Sequence, residues 1–379
     1  MMRLGDVATY INGFAFKPDD WSEEGLPIIR IQDLTGNSYQ MNRYAGEYNP
    51  KYEVNRGDVL ISWSASLGVY VWQGEKALLN QHIFKVVFDK CEVDRSFYVH
   101  QVAAILEKAA SQAHGATMKH LTKPVFDALP FYLPDLPTQQ RIADTLDKVS
   151  EGIEVCRRML GELDLMVKAK FQEMFGDHTG NSFNLSVKPM TEVCEIIDGD
   201  RGKNYPNADE FSDEGYCLFL NAKNVTASGF NFDNCMYITK EKDDILRKGK
   251  LSRGDVVLTT RGTIGNLAFY TSDIPYEHMR INSGMVILRM NRKIINEVFF
   301  IEQFKMLLDD IKQKNASGSA QPQLPISAMR EINILLPDIE QQKIFSEFVA
   351  KSNKSRLTLQ QVLSKIELEQ KVLMQKYFG

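Results

Sequence analysis

The run Thr259-Thr260-Arg261-Gly262-Thr263 sets three hydroxyls and one guanidinium beside a glycine, just after a β-branched stretch. Glycine lets a backbone approach a ligand closely. Arginine grips phosphate, or reads guanine through two parallel hydrogen bonds. Earlier in the chain, Ser62-Trp63-Ser64-Ala65-Ser66 follows a similar stretch, rich in hydroxyls and without arginine. Ser62, Trp63, Ser64, Thr260, Arg261 and Thr263 are therefore candidates for contact with DNA, joined by Lys119, Lys203 and Gln321. Two basic clusters, Arg247-Lys248 with Lys250 and Arg253, and Arg289 with Arg292 and Lys293, have the chemistry of phosphate contacts. The competing reading of each is a solvated surface turn.

Catalytic signatures are missing. The sequence contains no GxxxxGK[ST], HExxH or GxSxG. Its six histidines are dispersed, and His114 and His120 lie six apart, unlike a helical metal pair. Asn49-Pro-Lys-Tyr52 and Asp273-Ile-Pro-Tyr276 faintly resemble the Asn/Asp-Pro-Pro-aromatic motif with which adenine methyltransferases hold a flipped base. No glycine-rich cofactor loop stands beside either, so both read as proline turns. Asp58 and Asp255 are isolated carboxylates in Arg-Gly-Asp turns that enter strands.

The elements carrying these residues occur twice. RGDVL at 56–60 returns as RGDVVL at 253–258, and each is followed by a glycine, Gly68 and Gly265. Asn80 matches Asn282, Gly115 matches Gly318, Leu121 matches Leu324, and LPDLPTQQRI (133–142) matches LPDIEQQKI (336–344). The copies close on MFG (174–176) and YFG (377–379), and TYINGF (9–14) mirrors EIIDGD (195–200). A period of about 200 residues occurring twice is too long for a solenoid and marks a duplicated two-part unit.

Each first part alternates short β-branched runs with turns and ends in a helical stretch, which indicates an α+β domain. Each second part is helical. Ile142, Leu146, Val149, Ile153, Cys156, Leu160, Leu163 and Val167 step four and three residues apart, a coiled-coil seam. The second seam reads Phe345, Phe348, Ser352, Ser355, Leu359, Val362, Ile366 and Leu373. The expected architecture is α+β, with two tandem mixed α/β domains, 1–137 and 177–337. A long antiparallel two-helix coiled coil, 138–176 and 338–379, separates them under an internal pseudo-two-fold. Helices of that length are expected to form a rod of roughly 55 Å between the two domains. Gln139-Gln140 and Gln341-Gln342, opening the two helices, are the expected docking points for a partner protein.

Composition narrows the classes. The 379 residues carry 45 Lys+Arg against 49 Asp+Glu, which excludes a uniformly basic nucleic-acid binder. Residues 1–137 hold 13 basic against 16 acidic side chains and 177–337 hold 19 against 21, so DNA binding would need a partner's help. No long apolar run or secretion-type start is seen, so a cytoplasmic protein without membrane contact is expected. Five scattered cysteines without a CxxC pair read as reduced thiols.

With the tandem Gly-Asp-Val strands, Asn80 and Asn282, and the Leu-Pro-x-x-x-x-Gln-Gln-x-Ile signature, the chain resembles the specificity (S) subunit of type I restriction-modification systems over nearly its whole length. That resemblance implies a non-catalytic protein in which each mixed domain reads one half of a bipartite, asymmetric site in double-stranded DNA. It further implies docking of two methyltransferase (M) subunits and of restriction (R) subunits. S-adenosylmethionine, ATP and Mg are then cofactors of those partners, with none on this chain. The rivals are the S subunit of a related system whose methylase and nuclease are fused, a DNA methyltransferase with cryptic motifs, and a coiled-coil scaffold that does not bind DNA.

Overall fold

The computed structural model describes residues 2–36, 40–112, 121–262, 264–315 and 324–379. The chain packs as two compact units, 1–159 with 359–379, and 160–358. The division in space therefore cuts both long helices, Leu136–Phe175 and Ile339–Phe378, rather than following the linear segments. Among the described residues no helix is long and apolar enough to cross a membrane.

The two units repeat one plan. In the first, an antiparallel sheet runs Thr9–Asn12, Ile83–Val87, Val59–Ser62, Gly68–Val71. In the second, the order is Cys194–Asp198, Met285–Met290, Val256–Thr259, Leu267–Phe269. A further sheet in each unit contains one parallel pair, Leu26–Ile29 with Ala77–Leu79 and Cys217–Leu220 with Met279–Ile281. The Arg-Gly-Asp segments are strand-entry turns, as the sequence indicates. Gly57 and Gly254 take φ of 91° and 94°, and each donates its N–H to the neighbouring strand, to Trp72 O and Tyr270 O at 2.8 Å. Asp58 and Asp255 close the turns by accepting from Asn55 N (2.8 Å) and Ser252 N (2.7 Å).

A helix, Arg95–Gln112 or Glu297–Asn315, covers each antiparallel sheet, and the long helices complete each core. In the first unit Ile142, Ala143 and Leu146 from the start of one long helix, and Leu373, Met374, Tyr377 and Phe378 from the end of the other, join Leu4, Phe84, Phe97 and Phe131. In the second unit Phe345 and Val349 begin their helix against Phe171 and Phe175, which end theirs, around Phe299 and Phe300.

Helix pairing is antiparallel, because one residue number rises as the other falls. Within the first unit Gln370 Nε2 donates to Ser150 Oγ (3.0 Å) and Arg157 pairs with Glu367 (2.8 Å). Within the second, Arg356 pairs with Asp164 (2.5 Å). The first seam is as read from sequence: none of its eight residues is exposed. The second is shifted. Ser355 and Val362 are exposed, while Arg356 and Leu363 are half-buried. The seam passes through Val349, Ser352, Arg356, Leu359, Leu363, Ile366, Gln370 and Leu373. Arg356 and Gln370 find partners across the interface, and polar residues on the seam hide the period from an apolar pattern.

One side chain fixes where each long helix begins. Gln139 Nε2 donates to Pro134 O (2.8 Å) and its Oε1 accepts from Asp94 N (2.9 Å), just before the shorter helix. Gln342 Nε2 donates to Pro337 O (2.8 Å) and Ile294 O (3.0 Å), and its Oε1 accepts from Asn296 N (2.8 Å). Gln139 thus matches Gln342 without a gap, at the offset of 203 that also relates Leu121 to Leu324. The one-residue shortening suggested by the two Gln-Gln pairs is not a structural feature.

A buried ion cluster holds the loop 246–249 in the second unit. Asp243, fully buried, receives Lys250 Nζ (2.5 Å) and Arg280 Nε, and Arg280 also donates to Lys248 O (2.7 Å) and Leu246 O (3.0 Å). Burial alone would raise the Asp243 pKa, but the hydrogen bonds and charges of Lys250 and Arg280 leave it below the ordinary carboxylate value.

Two stability outcomes follow. Gln139→Leu or Gln342→Leu strands buried N–H and C=O groups and should cost about 1–3 kcal/mol in urea unfolding. The exposed Gln140→Leu and Gln341→Leu should stay within about 0.5 kcal/mol, and equal effects for all four would refute the clamp. Asp243→Asn leaves Arg280 buried without its counter-charge and should cost about 3–5 kcal/mol at neutral pH. A lowered folded pKa means this contribution is present above the unfolded carboxylate pKa and is lost as pH falls through the lower folded value. The gap between wild type and Asp243→Asn should therefore shrink only in that acidic range, which urea titrations across pH will show.

Candidate nucleic-acid interface

In the second unit, strand Val256–Thr259 delivers a turn whose backbone is fixed from both sides. Thr260 donates its N–H and its Oγ1 hydroxyl to Gly284 O (2.9 and 3.0 Å), and Thr260 O accepts from Leu324 N (3.3 Å). Gly262, at φ 74°, carries the chain round with open space where a Cβ would stand. Arg261 is left exposed at the apex. Thr263, Lys119 and Gln321 lie outside the described residues.

A second turn, 282–284, supports the first. Asn282 Oδ1 accepts from Gly284 N (2.9 Å), and Asn282 N donates to Leu220 O (3.1 Å). Gly199 packs so tightly on Asn282 that a Cβ would fall 2.1 Å from its carbonyl oxygen. The next residue, Asp200, accepts from Arg247 N (2.6 Å) and Lys248 N (3.3 Å). Burial works to raise the Asp200 pKa, but these N–H groups and that of Arg201 outweigh it and hold it low. Arg201 Nη2 in turn donates to Ser283 O (3.1 Å).

Segments far apart in sequence thus meet around one turn, bringing Arg261, Arg247 and Lys248 together, with Lys203 on the loop that follows Arg201. All four side chains are exposed, and among the described residues none is engaged in an ion pair. Asp200 and Arg201 were missed in the sequence; the match of EIIDGD to TYINGF marks their loop as a repeated feature.

Four other cations of the two basic clusters are engaged in the fold, while Lys293 is exposed. Lys250 serves Asp243. Arg253 donates to Thr271 O, Ile274 O and Tyr276 O, with its guanidinium 4.1 Å from the Tyr270 ring centroid. Arg289 grips Asp255 with two bonds (2.9 and 2.8 Å), and Arg292 pairs with Glu297 (2.5 Å).

The first unit builds the same turn with other side chains. Trp63 N donates to His82 O (3.2 Å), and Trp63 O accepts from Leu121 N (3.1 Å), so Trp63 stands where Thr260 does. Ser64 then matches Arg261, and Ala65, at φ 58°, matches Gly262. Ser62 Oγ donates to Ser64 O (3.2 Å) and both serines are buried, so their hydroxyls do not form the open polar surface expected. Trp63 is half-buried, stacked on Phe84 (5.6 Å between centroids, 23°) and donating Nε1 to Asn12 Oδ1 (3.2 Å). Gly13 packs on Asn80 as Gly199 does on Asn282, with a Cβ falling 2.0 Å from its oxygen.

The docking expectation needs correction at two of its four residues. Gln139 and Gln342 are buried and hydrogen-bonded to their own chain, so neither side chain faces a partner. Gln140 and Gln341 are exposed on the first turns of their helices.

Comparison with known proteins agrees with the repeat. The type I restriction modification DNA specificity domain matches residues 1–163 and 184–370. Relatives include the specificity subunit of the type I restriction enzyme EcoBI from Escherichia coli, 23% identical over 369 residues, covering 90% of this chain and 76% of that protein. Another is the MjaVIII specificity subunit from Methanocaldococcus jannaschii, 23% identical over 368 residues, covering 92% and 84%. The fold is shared with the S subunit of a type I system from M. genitalium, with a TM-score of 0.57 at 16% identity over 100% of this chain and 95% of that one. It is shared also with a chain solved in a study of complex assembly of the type I R-M system, with a TM-score of 0.53 at 16% identity over 100% and 96%. The chain belongs to the family of type I restriction-modification specificity (S) subunits, and it carries the DNA specificity domain twice.

Proposed function

We propose that this chain reads a bipartite, asymmetric site in double-stranded DNA, with 1–137 and 177–337 as its two target recognition domains. The observation that carries this reading is the repeated turn at Trp63 and Thr260. The backbone bonds are the same in both units, while the surrounding surface is aromatic in one and cationic in the other. A common frame with different contact chemistry suits two different half-sites. Arg261, Lys203, Arg247 and Lys248 are the contacts in the second half-site, Arg261 at the apex being the one placed to reach a base edge.

The chain itself is non-catalytic in this reading. It docks two M subunits and the R subunits, which hold S-adenosylmethionine, ATP and Mg and carry out methylation and cleavage. Support comes from the internal duplication, because a repeated surface takes the same protein twice. The near-balance of charge in each unit also points to partners that supply further phosphate contacts. The relatives' role as specificity subunits and a structural neighbour solved in a study of complex assembly agree with this.

Methylation mapping in cells tests the assignment of Arg261. Arg261→Ala should weaken site binding by about 1–3 kcal/mol and relax specificity in one half-site only. Unchanged binding across a range of salt would return Arg261 to a solvated turn. Native mass of the complex reconstituted with M subunits should show two per chain, and a one-to-one complex at saturation would refute double docking.

A further inference from the structure

The first unit contains an aromatic cup that the repeat places on the face proposed to meet DNA. It is an open cavity of about 400 Å³ lined mainly by Phe14, Phe16, Tyr44, Tyr48, Asn49 and Tyr52. Ring centroids lie 5.0 Å apart for Phe14 and Phe16, 5.6 Å for Phe14 and Tyr52, and 5.1 Å for Phe16 and Tyr44. Phe16 is nearly buried, but Phe14 is 42% exposed. Tyr44 and Tyr48 hydroxyls are tied back to Glu47 O and Glu53 Oε1, both at 3.0 Å. Asn49 Oδ1 caps the turn by accepting from Lys51 N (3.0 Å), which leaves its amide NH₂ at the rim. The Lys51 ammonium lies 4.8 Å from the Tyr52 ring centroid.

The register of the repeat fixes what this cup corresponds to. Glu53 pairs with Leu78 in the first unit, and Lys250 pairs with Arg280 in the second. Leu78 and Arg280 each stand two residues before the matched asparagines, so Tyr52 corresponds to Gly249 and Lys51 to Lys248. Phe14 follows Gly13 as Asp200 follows Gly199. In the second unit these places hold Asp200 bound to the backbone of Arg247 and Lys248, with two cations presented outward. In the first unit the same places hold the rings of Phe14 and Tyr52, with Lys51 beside them.

We infer that the cup holds one nucleobase drawn out of the DNA duplex, stacked on Phe14 and Tyr52, with the Asn49 amide donating to an acceptor on the base edge and Lys51 near the adjoining phosphate. This rests on the reading that the two matched faces meet DNA. Rings accept any base by its π-face, and an amide and a cation at the rim suit a base edge and its phosphate. Asn49-Pro-Lys-Tyr52, read from sequence as a proline turn, is such a turn, and it also supplies three of the cup's contacts.

The test uses the full chain reconstituted with its M subunits and duplexes carrying the site mapped by methylation. A single mismatch that keeps the base but removes its pairing lowers the cost of extrusion. Walked through the site, it should tighten binding on the order of ten-fold at one position of the half-site read by the first unit. The methylated adenine, which a methyltransferase extrudes by itself, is the internal control. Phe14→Leu with Tyr52→Leu should remove that gain and weaken binding on the order of ten- to a hundred-fold, leaving the gain at the methylated adenine intact. Phe14→Tyr should restore most of it.

No such position in that half-site, or a gain that survives both leucines, would reduce the cup to packing. If adenosine binds the complex without DNA and Phe14→Leu abolishes that binding, the cup serves a free ligand and the inference is wrong. Loss of site selection by the wild-type complex would instead overturn the DNA reading itself, so the two failures are distinguishable.

Discussion

The direction in which each long helix leaves its sheet is set by one buried amide. Gln139 and Gln342 each bridge the proline turn before the long helix to the residue that opens the shorter helix. An amide is suited to this because it donates and accepts at once, so a backbone carbonyl and a backbone N–H that no regular element pairs are satisfied by one side chain. Leucine in its place would fill the volume and leave both groups unpaired. Once the start of the helix is fixed, its first apolar residues fall into the core, Ile142 and Leu146 in one unit and Phe345 and Val349 in the other. The far end of the opposite helix closes that core, through Leu373 to Phe378 or Val167 to Phe175. The long helices are thus structural members of both units.

Charge is partitioned by the same logic. A protein with balanced acids and bases offers a cationic surface only if some cations are left without carboxylates. In the second unit Arg280, Lys250, Arg289 and Arg292 are matched to Asp243, Asp255 and Glu297. Asp200, which is charged and buried beside the basic loop, is satisfied by backbone N–H groups instead. That leaves the Arg247 and Lys248 side chains pointing to solvent while their backbones are held. A carboxylate capped by amides orders the loop without forming ion pairs with its cations.

Much of this was legible in the sequence, and the exceptions share a cause. The duplication, the strand-entry turns and the first helix seam are local patterns, and the structure has them where the spacing puts them. The second seam was misread because Arg356 and Gln370 lie on it; an apolar count moved the line to Ser355 and Val362, which are exposed. The Gln-Gln pairs were aligned by identity, although Leu121 with Leu324 and MFG with YFG already gave a constant offset that places Gln139 on Gln342. The approach of Arg247 and Lys248 to the turn of Arg261 was not legible, because it depends on Asp200 reaching 47 residues along the chain to the Arg247 N–H. Residue type also misled at Ser62 and Ser64: hydroxyls suggest a polar surface, yet here both residues are buried.

The repeated turn explains how one fold carries two contact surfaces. At Trp63 and Thr260 the bonds that hold the turn are made by the backbone N–H and carbonyl, so nearly any side chain is compatible with it. The constraint falls instead on neighbours that cannot vary. Gly13 and Gly199 have no room for a Cβ, and Asn80 and Asn282 turn their Oδ1 onto the N–H of Gln81 and Gly284. Where the frame depends on backbone and glycine, the residues at its tip are free to differ in size, charge and polarity at little cost to folding. Trp63 against Thr260, Ser64 against Arg261, and Phe14 against Asp200 are such differences. A change of contact chemistry at these positions leaves the sheet order, the long helices and their amide clamps unaltered, which is the physical condition for a reader whose halves diverge while its framework does not.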